Sequence, residues 1–133
     1  SLCGRYFALD ENKNFKRVKM YYNLLQFGDG VDAQNIDRIL EACYSKNLTD
    51  EYIPPLKTSN YRALRENDFI MFMNYSKFNQ ESILEAFAKE DFIEFPTKKI
   101  NSTVYSLYEI NKKIAQKNTR KTPEKHLRKR LKK

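Results

Sequence analysis

The chain predicts an α/β fold with parallel strands, and three observations carry that expectation. Amphipathic helical stripes alternate with a short apolar run, the pattern of helices wrapped on buried strands. Hydrophobic residues make up 41% of the 133 residues and aromatics 14%, enough to fill the core of one small domain or part of a larger one. The charge is also set apart from that core. Residues 112–133 hold eleven Lys or Arg and one acid, a charge of +10, while the other 111 residues hold 14 basic and 16 acidic groups, a charge of −2.

In chain order, residues 14–27 predict a helix, because Val18, Tyr21, Tyr22 and Leu25 recur at helical spacing and Lys and Arg cover the other face. Gly28 and Gly30 stop it. Asp32 is the expected N-cap of a second helix, whose stripe of Ile36, Ile39, Leu40, Cys43 and Tyr44 runs through Ser45. Thr49–Asp50–Glu51 followed by Pro54–Pro55 predicts a turn into extended chain, since proline resists helix and holds its predecessor extended. Phe69 to Met73 is a five-residue apolar run, too short for a helix and expected to be a buried strand. Gln80 to Glu90 predicts a third helix, with Ile83, Leu84, Phe87 and Ala88 on one face and Phe92 and Phe95 following as a packing plug. Thr103 to Leu107, β-branched and aromatic, is a further strand candidate.

From Ile110 onward apolar residues thin out. Thr122–Pro123–Glu124 has the residues of a helix start, and Leu127 and Leu131 are the apolar anchors after it. A segment with so little apolar surface is disordered or is held helical by a partner. Its charge fits a polyanion: nucleic acid, an acidic membrane surface or an acidic protein. Lys117, Arg120, Lys121, Lys125, Arg128, Lys129, Arg130, Lys132 and Lys133 are the candidate contacts. With no aromatic in 112–133 there is nothing for bases to stack on, so contact with RNA would follow the backbone rather than the sequence. Cys3 and Cys43 form no CxxC or Cys/His cluster, which gives no zinc site and points to two reduced thiols. His126, in the basic tail, is expected to be a solvated side chain rather than a ligand or base. No apolar run approaches the ~20 residues that cross a bilayer, so no transmembrane segment is expected. No signal peptide is visible. The expected setting is intracellular, cytoplasmic or organellar, with the mitochondrial matrix among the organellar options.

Three segments carry a resemblance. Gly4-Arg5-Tyr6-Phe7-Ala8-Leu9-Asp10 resembles Gly-Arg-Tyr-Tyr/Phe-Ala-Met-Asp-Arg-Asp. Thr49-Asp50-Glu51-Tyr52-Ile53 with Pro55 resembles Thr-Asp-Glu-Phe-Ile-x-Pro. Asn74 to Asn79 resembles Asn-Phe-Arg-x-Asp-Arg. All three patterns come from the substrate domain of cofactor-independent (2,3-bisphosphoglycerate-independent) phosphoglycerate mutase, and their order and spacing agree over roughly residues 1 to 95. The resemblance implies part of a three-layer α/β sandwich over residues 1–109, with 110–133 as a basic tail. It implies that Ser1–Arg5 closes a strand, so that the chain starts inside a domain. It implies no cofactor in this segment, because the family's two manganese ions are bound by a separate phosphatase-like domain that also holds the serine nucleophile.

Arginine grips phosphate and carboxylate through a planar fork of donors. Arg5, Asp10 and Asn74 match family positions and are the candidate, vestigial substrate-binding residues. Where the family places three further arginines this chain has Glu11, Ser76 and Asn79, and the intervening aspartate is Phe78. Arg5 either still binds an anion or pairs with Asp10 or Glu11. Tyr6, Phe7, Ala8, Leu9, Val18, Pro55, Ile70 and Phe72 are matches that serve packing and turns.

Three readings follow. The chain is a non-catalytic mutase-like module, a structural or binding subunit of a larger protein or ribonucleoprotein assembly with a tail for RNA or an acidic surface. Alternatively it is a fragment of a mutase that interconverts 3- and 2-phosphoglycerate and needs a separate metal-binding phosphatase domain. The third is a fragment with no selected role. Missing arginines weigh against the second reading, and the intact hydrophobic pattern against the third.

Overall fold

The computed structural model describes residues 1–74, 76–106 and 119–121. Among the described residues four helices and five short strands follow one another: α1 (Arg5–Ala8), α2 (Phe15–Phe27), β1 (Val31–Asp32), α3 (Ile36–Tyr44), β2 (Leu56–Lys57), β3 (Phe69–Phe72), α4 (Lys77–Ala88), β4 (Thr103–Ser106) and β5 (Thr119–Lys121). A 3₁₀ turn, Asp50–Tyr52, precedes β2. The strands form two sheets. β1 pairs with β2, and β3, β4 and β5 lie side by side in that order; every ladder is parallel. The α/β expectation with parallel pairing therefore holds.

Helix α2 runs over the expected residues and ends at Gly28, whose φ of 72° takes the left-handed conformation that closes a helix without a Cβ penalty. Val18 and Tyr22 of α2 are fully buried against Ile83, Ala86 and Phe95, with Phe15, Phe87 and Phe92 packed around them. Phe92 and Phe95 form the expected plug, their rings edge-on at 4.8 Å. Leu24 and Gln26 are buried too, off the expected stripe, because α2 is enclosed on a second side. There the Tyr61 hydroxyl donates to the Leu24 carbonyl at 2.8 Å. A second cluster joins Ala33, Ile53 and Leu56 to Ile36, Ile39 and Leu40 of α3.

Several expectations are corrected. The cap of α3 is Asn35, whose side chain accepts from the Arg38 amide at 3.0 Å; Asp32 lies in β1 instead. Helix α4 starts three residues before Gln80, because Ser76 caps it. Ser1–Arg5 contributes a single antiparallel bridge, Leu2 to Leu56, and Arg5 opens a helix. Strand β3 forms where expected but is covered on one face only: Ile70 and Phe72 pack with Val104 under Leu84 and Ala88 of α4, while Phe69 and Met71 face outward. β4 ends at Ser106, and Leu107 lies outside the described residues. β5 is regular structure inside the stretch whose composition predicts a helical or disordered tail. The helix start at Thr122–Pro123–Glu124, Leu127, Leu131, His126 and the basic residues of 112–118 and 122–133 lie outside the described residues.

Candidate functional site: a cavity closed by its own ion pairs

The Gly4–Asp10 segment is held by backbone necessity. Gly4 donates its amide to the Ile53 carbonyl at 2.8 Å, which brings it against the 3₁₀ turn. A Cβ on Gly4 would sit 2.2 Å from the Glu51 carbonyl oxygen and 2.7 Å from that of Asp50. Only glycine fits there. Arg5 then projects beside the turn, and its Nη2 meets Glu51 Oε1 at 3.2 Å. The side chains are 63% and 36% exposed, so the pair is solvent-screened and weak. Arg5 is paired, as one expectation had it, but the partner is Glu51 rather than Asp10 or Glu11.

Asp10 ends the motif and is buried. One carboxylate oxygen accepts from the Asn14 amide at the start of α2, and the other meets Arg17 Nη2 at 3.2 Å. The Asp10 carbonyl also accepts from Ser82 Oγ at 3.0 Å, fixing the loop to α4. The Arg17 guanidinium carbon lies 4.0 Å from the centre of the Tyr6 ring, a partly buried cation–π contact. Arg17 Nε is buried with no hydrogen-bond partner. Asp10, Arg17, Tyr6 and Ser82 therefore clamp α1, α2 and α4 together.

The second motif begins α4. Asn74 Oδ1 accepts from the Ser76 amide at 2.8 Å. Ser76 Oγ accepts from the Asn79 amide at 3.4 Å and donates to Asn79 Oδ1 at 2.8 Å. Ser76 thus caps α4 through the Asn79 amide, while its own amide is taken by Asn74. The two positions where the resemblance expects arginine hold the two residues that start the helix.

Arg5, Tyr6, Asp10, Glu11, Arg17, Glu51 and Asn79 surround one cavity of about 90 Å³. The fold therefore does bring Arg5 and Asp10 together with Glu11 and Asn79, from motifs about seventy residues apart. Asn74 and Ser76 stay with the helix start and do not line it. Arg17 and Glu51 went unnoticed as site residues in the sequence. The signal for Arg17 was its place four residues before Tyr21, beside Val18, on the edge of the buried stripe. The walls carry three carboxylates against two guanidiniums, and both guanidiniums are engaged. With one more carboxylate than guanidinium on its walls, such a cavity disfavours an anion.

A larger cavity of about 540 Å³ adjoins it, between Leu2–Arg5 and α3, and is walled by Leu40, Tyr44 and Ile53. Burial pushes the Cys3 thiol there up to about 12, so it is a poor nucleophile. Both cysteines are free.

With this geometry in place, the comparisons decide the family. The model of the BPG-independent PGAM N-terminus matches residues 1–115. The chain belongs to the BPG-independent phosphoglycerate mutase family. A 2,3-bisphosphoglycerate-independent phosphoglycerate mutase from Campylobacter jejuni is 35% identical over 116 residues, covering 86% of this chain and 23% of that protein. One from Microcystis aeruginosa is 33% identical over 95 residues, covering 71% of this chain and 18% of that protein. The crystal structure of Leishmania mexicana phosphoglycerate mutase at low cobalt concentration superposes with a TM-score of 0.71 at 17% identity, over 79% of this chain and 21% of that one. That likeness speaks for the fold. The chain spans about a quarter of the length of the relatives it matches.

The metal ions of this family belong to its phosphatase domain, and the residues here do not fit them. Among the described residues, no three His, Cys, Asp or Glu come together to hold a metal ion. Asp10 and Glu51 are already engaged by guanidiniums. No helix among the described residues is long and apolar enough to cross a membrane.

Proposed function

We propose that this chain is a segment of the substrate-binding lobe of a BPG-independent phosphoglycerate mutase, and that turnover requires a separate metal-binding phosphatase domain. The observation that carries this is the cavity at Arg5, Asp10 and Asn79, which gathers the family's motif residues into one place. Its chemistry adds a qualification. With Glu11, Ser76 and Asn79 in place of arginine, and the charges of Arg5 and Arg17 each paired with a carboxylate, the cavity offers little net positive charge to a trianionic substrate. The segment thus acts as a non-catalytic, structural module of the lobe, and its grip on phosphoglycerate is weak. A charge-assisted bond to a buried anion contributes ~1.5–3 kcal/mol, so three missing arginines remove most of the affinity.

The test is a coupled mutase assay on the chain, with and without manganese and with and without the phosphatase domain of the Campylobacter relative. The chain alone gives no turnover. In the triple variant Glu11→Arg, Ser76→Arg, Asn79→Arg, 3-phosphoglycerate binding by calorimetry strengthens. Turnover by the pure chain, or a wild-type affinity equal to that of the arginine-restored variant, overturns the reading.

The charge division supports a second reading for residues 110–133, of which Thr119–Lys121 join the β3–β4–β5 sheet. Eleven basic residues against one acid form a polyanion contact, with RNA or an acidic assembly neighbour as partner. Binding to an RNA oligonucleotide falls steeply with salt, log K dropping by ~0.9 per phosphate contact per log unit. It disappears on truncation after Glu109. Affinity that survives the truncation, or ignores salt, refutes it.

A further inference from the structure

The cavity of about 540 Å³ between Leu2–Arg5 and α3 lies beside the smaller one and shares only Arg5 and Glu51 with it. Backbone bonds fix its wall. Leu2 and Leu56 exchange amide-to-carbonyl bonds of 3.0 and 2.7 Å, and the Gly4 amide donates to the Ile53 carbonyl at 2.8 Å. Its size falls within the ~300–1,000 Å³ of small-molecule sites.

The lining has an apolar part and a charged part. Leu2, Leu40 and Ile53 are apolar, and burial keeps the Cys3 thiol neutral, its pKa pushed up to about 12. Arg5, Asp50 and Glu51 supply the charge, two carboxylates from adjacent residues against one guanidinium. Tyr44 joins the two parts, because it lines the cavity and its hydroxyl donates to Asp50 Oδ1 at 2.6 Å. A carboxylate accepts about four donors. Tyr44 takes one place at Asp50, and Arg5 takes one at Glu51. Such a chamber selects an amphipathic cation. An anion meets the excess negative charge, and a neutral molecule gains nothing from it. A primary ammonium suits adjacent carboxylates best, being compact and carrying three donors.

We propose that this cavity binds a small amphipathic primary amine, with its apolar body among Leu2, Leu40 and Ile53 and its ammonium on Asp50 and Glu51. The ammonium competes with Arg5 for Glu51. That exchange is open to it because the Arg5–Glu51 pair is solvent-screened and weak. The site stands apart from the mutase reading, since it needs neither phosphoglycerate nor the phosphatase domain.

The test titrates the whole chain by calorimetry at neutral pH with phenethylamine, and with phenethyl alcohol and hydrocinnamate as its neutral and anionic counterparts. The amine binds with a dissociation constant below about 1 mM, and the alcohol and the acid at least roughly tenfold more weakly. Glu51→Gln weakens the amine roughly tenfold and leaves the alcohol unchanged. Arg5→Gln removes the competitor and tightens the amine about threefold. Location is read from thiol modification by methyl methanethiosulfonate, followed by mass spectrometry. Saturating amine slows modification of Cys3 roughly tenfold, while Cys43, buried in α3 and outside the lining, keeps its rate. If Glu51→Gln fails to fold, the difference between amine and alcohol on the wild-type chain carries the same test. An amine dissociation constant above about 10 mM overturns the proposal. So does an alcohol that binds as tightly as the amine, an Arg5→Gln variant that binds the amine more weakly, or a Cys3 rate that saturating amine leaves unchanged.

Discussion

Gly4–Asp10 and 74–79 are two of the segments that resemble the family's motifs, and the fold holds them differently. In the first, the polar and glycine positions are under structural load: Gly4 is jammed against carbonyls, and Asp10 is buried in an ion pair. In the second, the side chains that would face a ligand are half-exposed and have become a helix cap. A residue that holds backbone or a buried charge cannot change without cost. A residue whose only partner is a ligand can change if another task is found for it. Ser76 and Asn79 found one.

Substitutions that strike load-bearing positions widen this contrast. Gly4→Ala should give the largest loss, because the new methyl meets the Glu51 and Asp50 carbonyls, which belong to a backbone turn and cannot swing away. We expect about 3–4 kcal/mol from forced backbone displacement, read as a shift in the urea midpoint. A loss under about 1 kcal/mol would mean that the 3₁₀ turn moves freely.

Arg17→Met comes next. It keeps the volume and removes the charge, leaving Asp10 buried without its cation; breaking such a pair costs about 3 kcal/mol. Asp10→Asn in the same background should recover part of the loss, since the uncompensated charge is then gone. No recovery in the double-mutant cycle would show that the Tyr6 contact, not the ion pair, holds α2 in place.

Ser76→Ala tests the second segment. It removes the cap and the bond to Asn79, for about 1 kcal/mol. The size of that number also bears on the arginine-restored variant, which loses the same cap and gains a ligand contact. Its binding and its stability should therefore move in opposite directions.

Much of this was legible in the sequence. The helices at α2 and α4, the strand at Phe69, the parallel pairing and the aromatic plug all follow from periodicity, which reports burial directly. What was not legible depended on partners distant in the chain. Ion pairs of Arg5 with Glu51 and of Arg17 with Asp10 need the tertiary path of α1 over the 3₁₀ turn, and charge alone does not choose among several nearby acids. Asp32 and Asn35 are both good caps by type, and strand pairing of Asp32 with Lys57 decided between them. The apolar run at Phe69–Phe72 announced a strand. It could not announce that one of its faces would stay bare, because hydrophobicity records what a face requires and not whether the cover is present.

The smallest expected effect is at the one motif arginine that remains. Arg5 and Glu51 pair at 3.2 Å across an open surface, so Arg5→Ala should change stability by no more than about 0.5 kcal/mol, and the difference should vanish in high salt. Gly4 next to it should cost several times more, although both belong to the same two-residue motif. That ratio separates a residue kept for the backbone from one kept for a ligand. If Arg5→Ala instead costs as much as Arg17→Met, then Arg5 carries structure and the pairing with Glu51 is part of the clamp. If it costs nothing in stability but weakens 3-phosphoglycerate binding in the arginine-restored variant, then Arg5 retains the family's role and lacks only its neighbours.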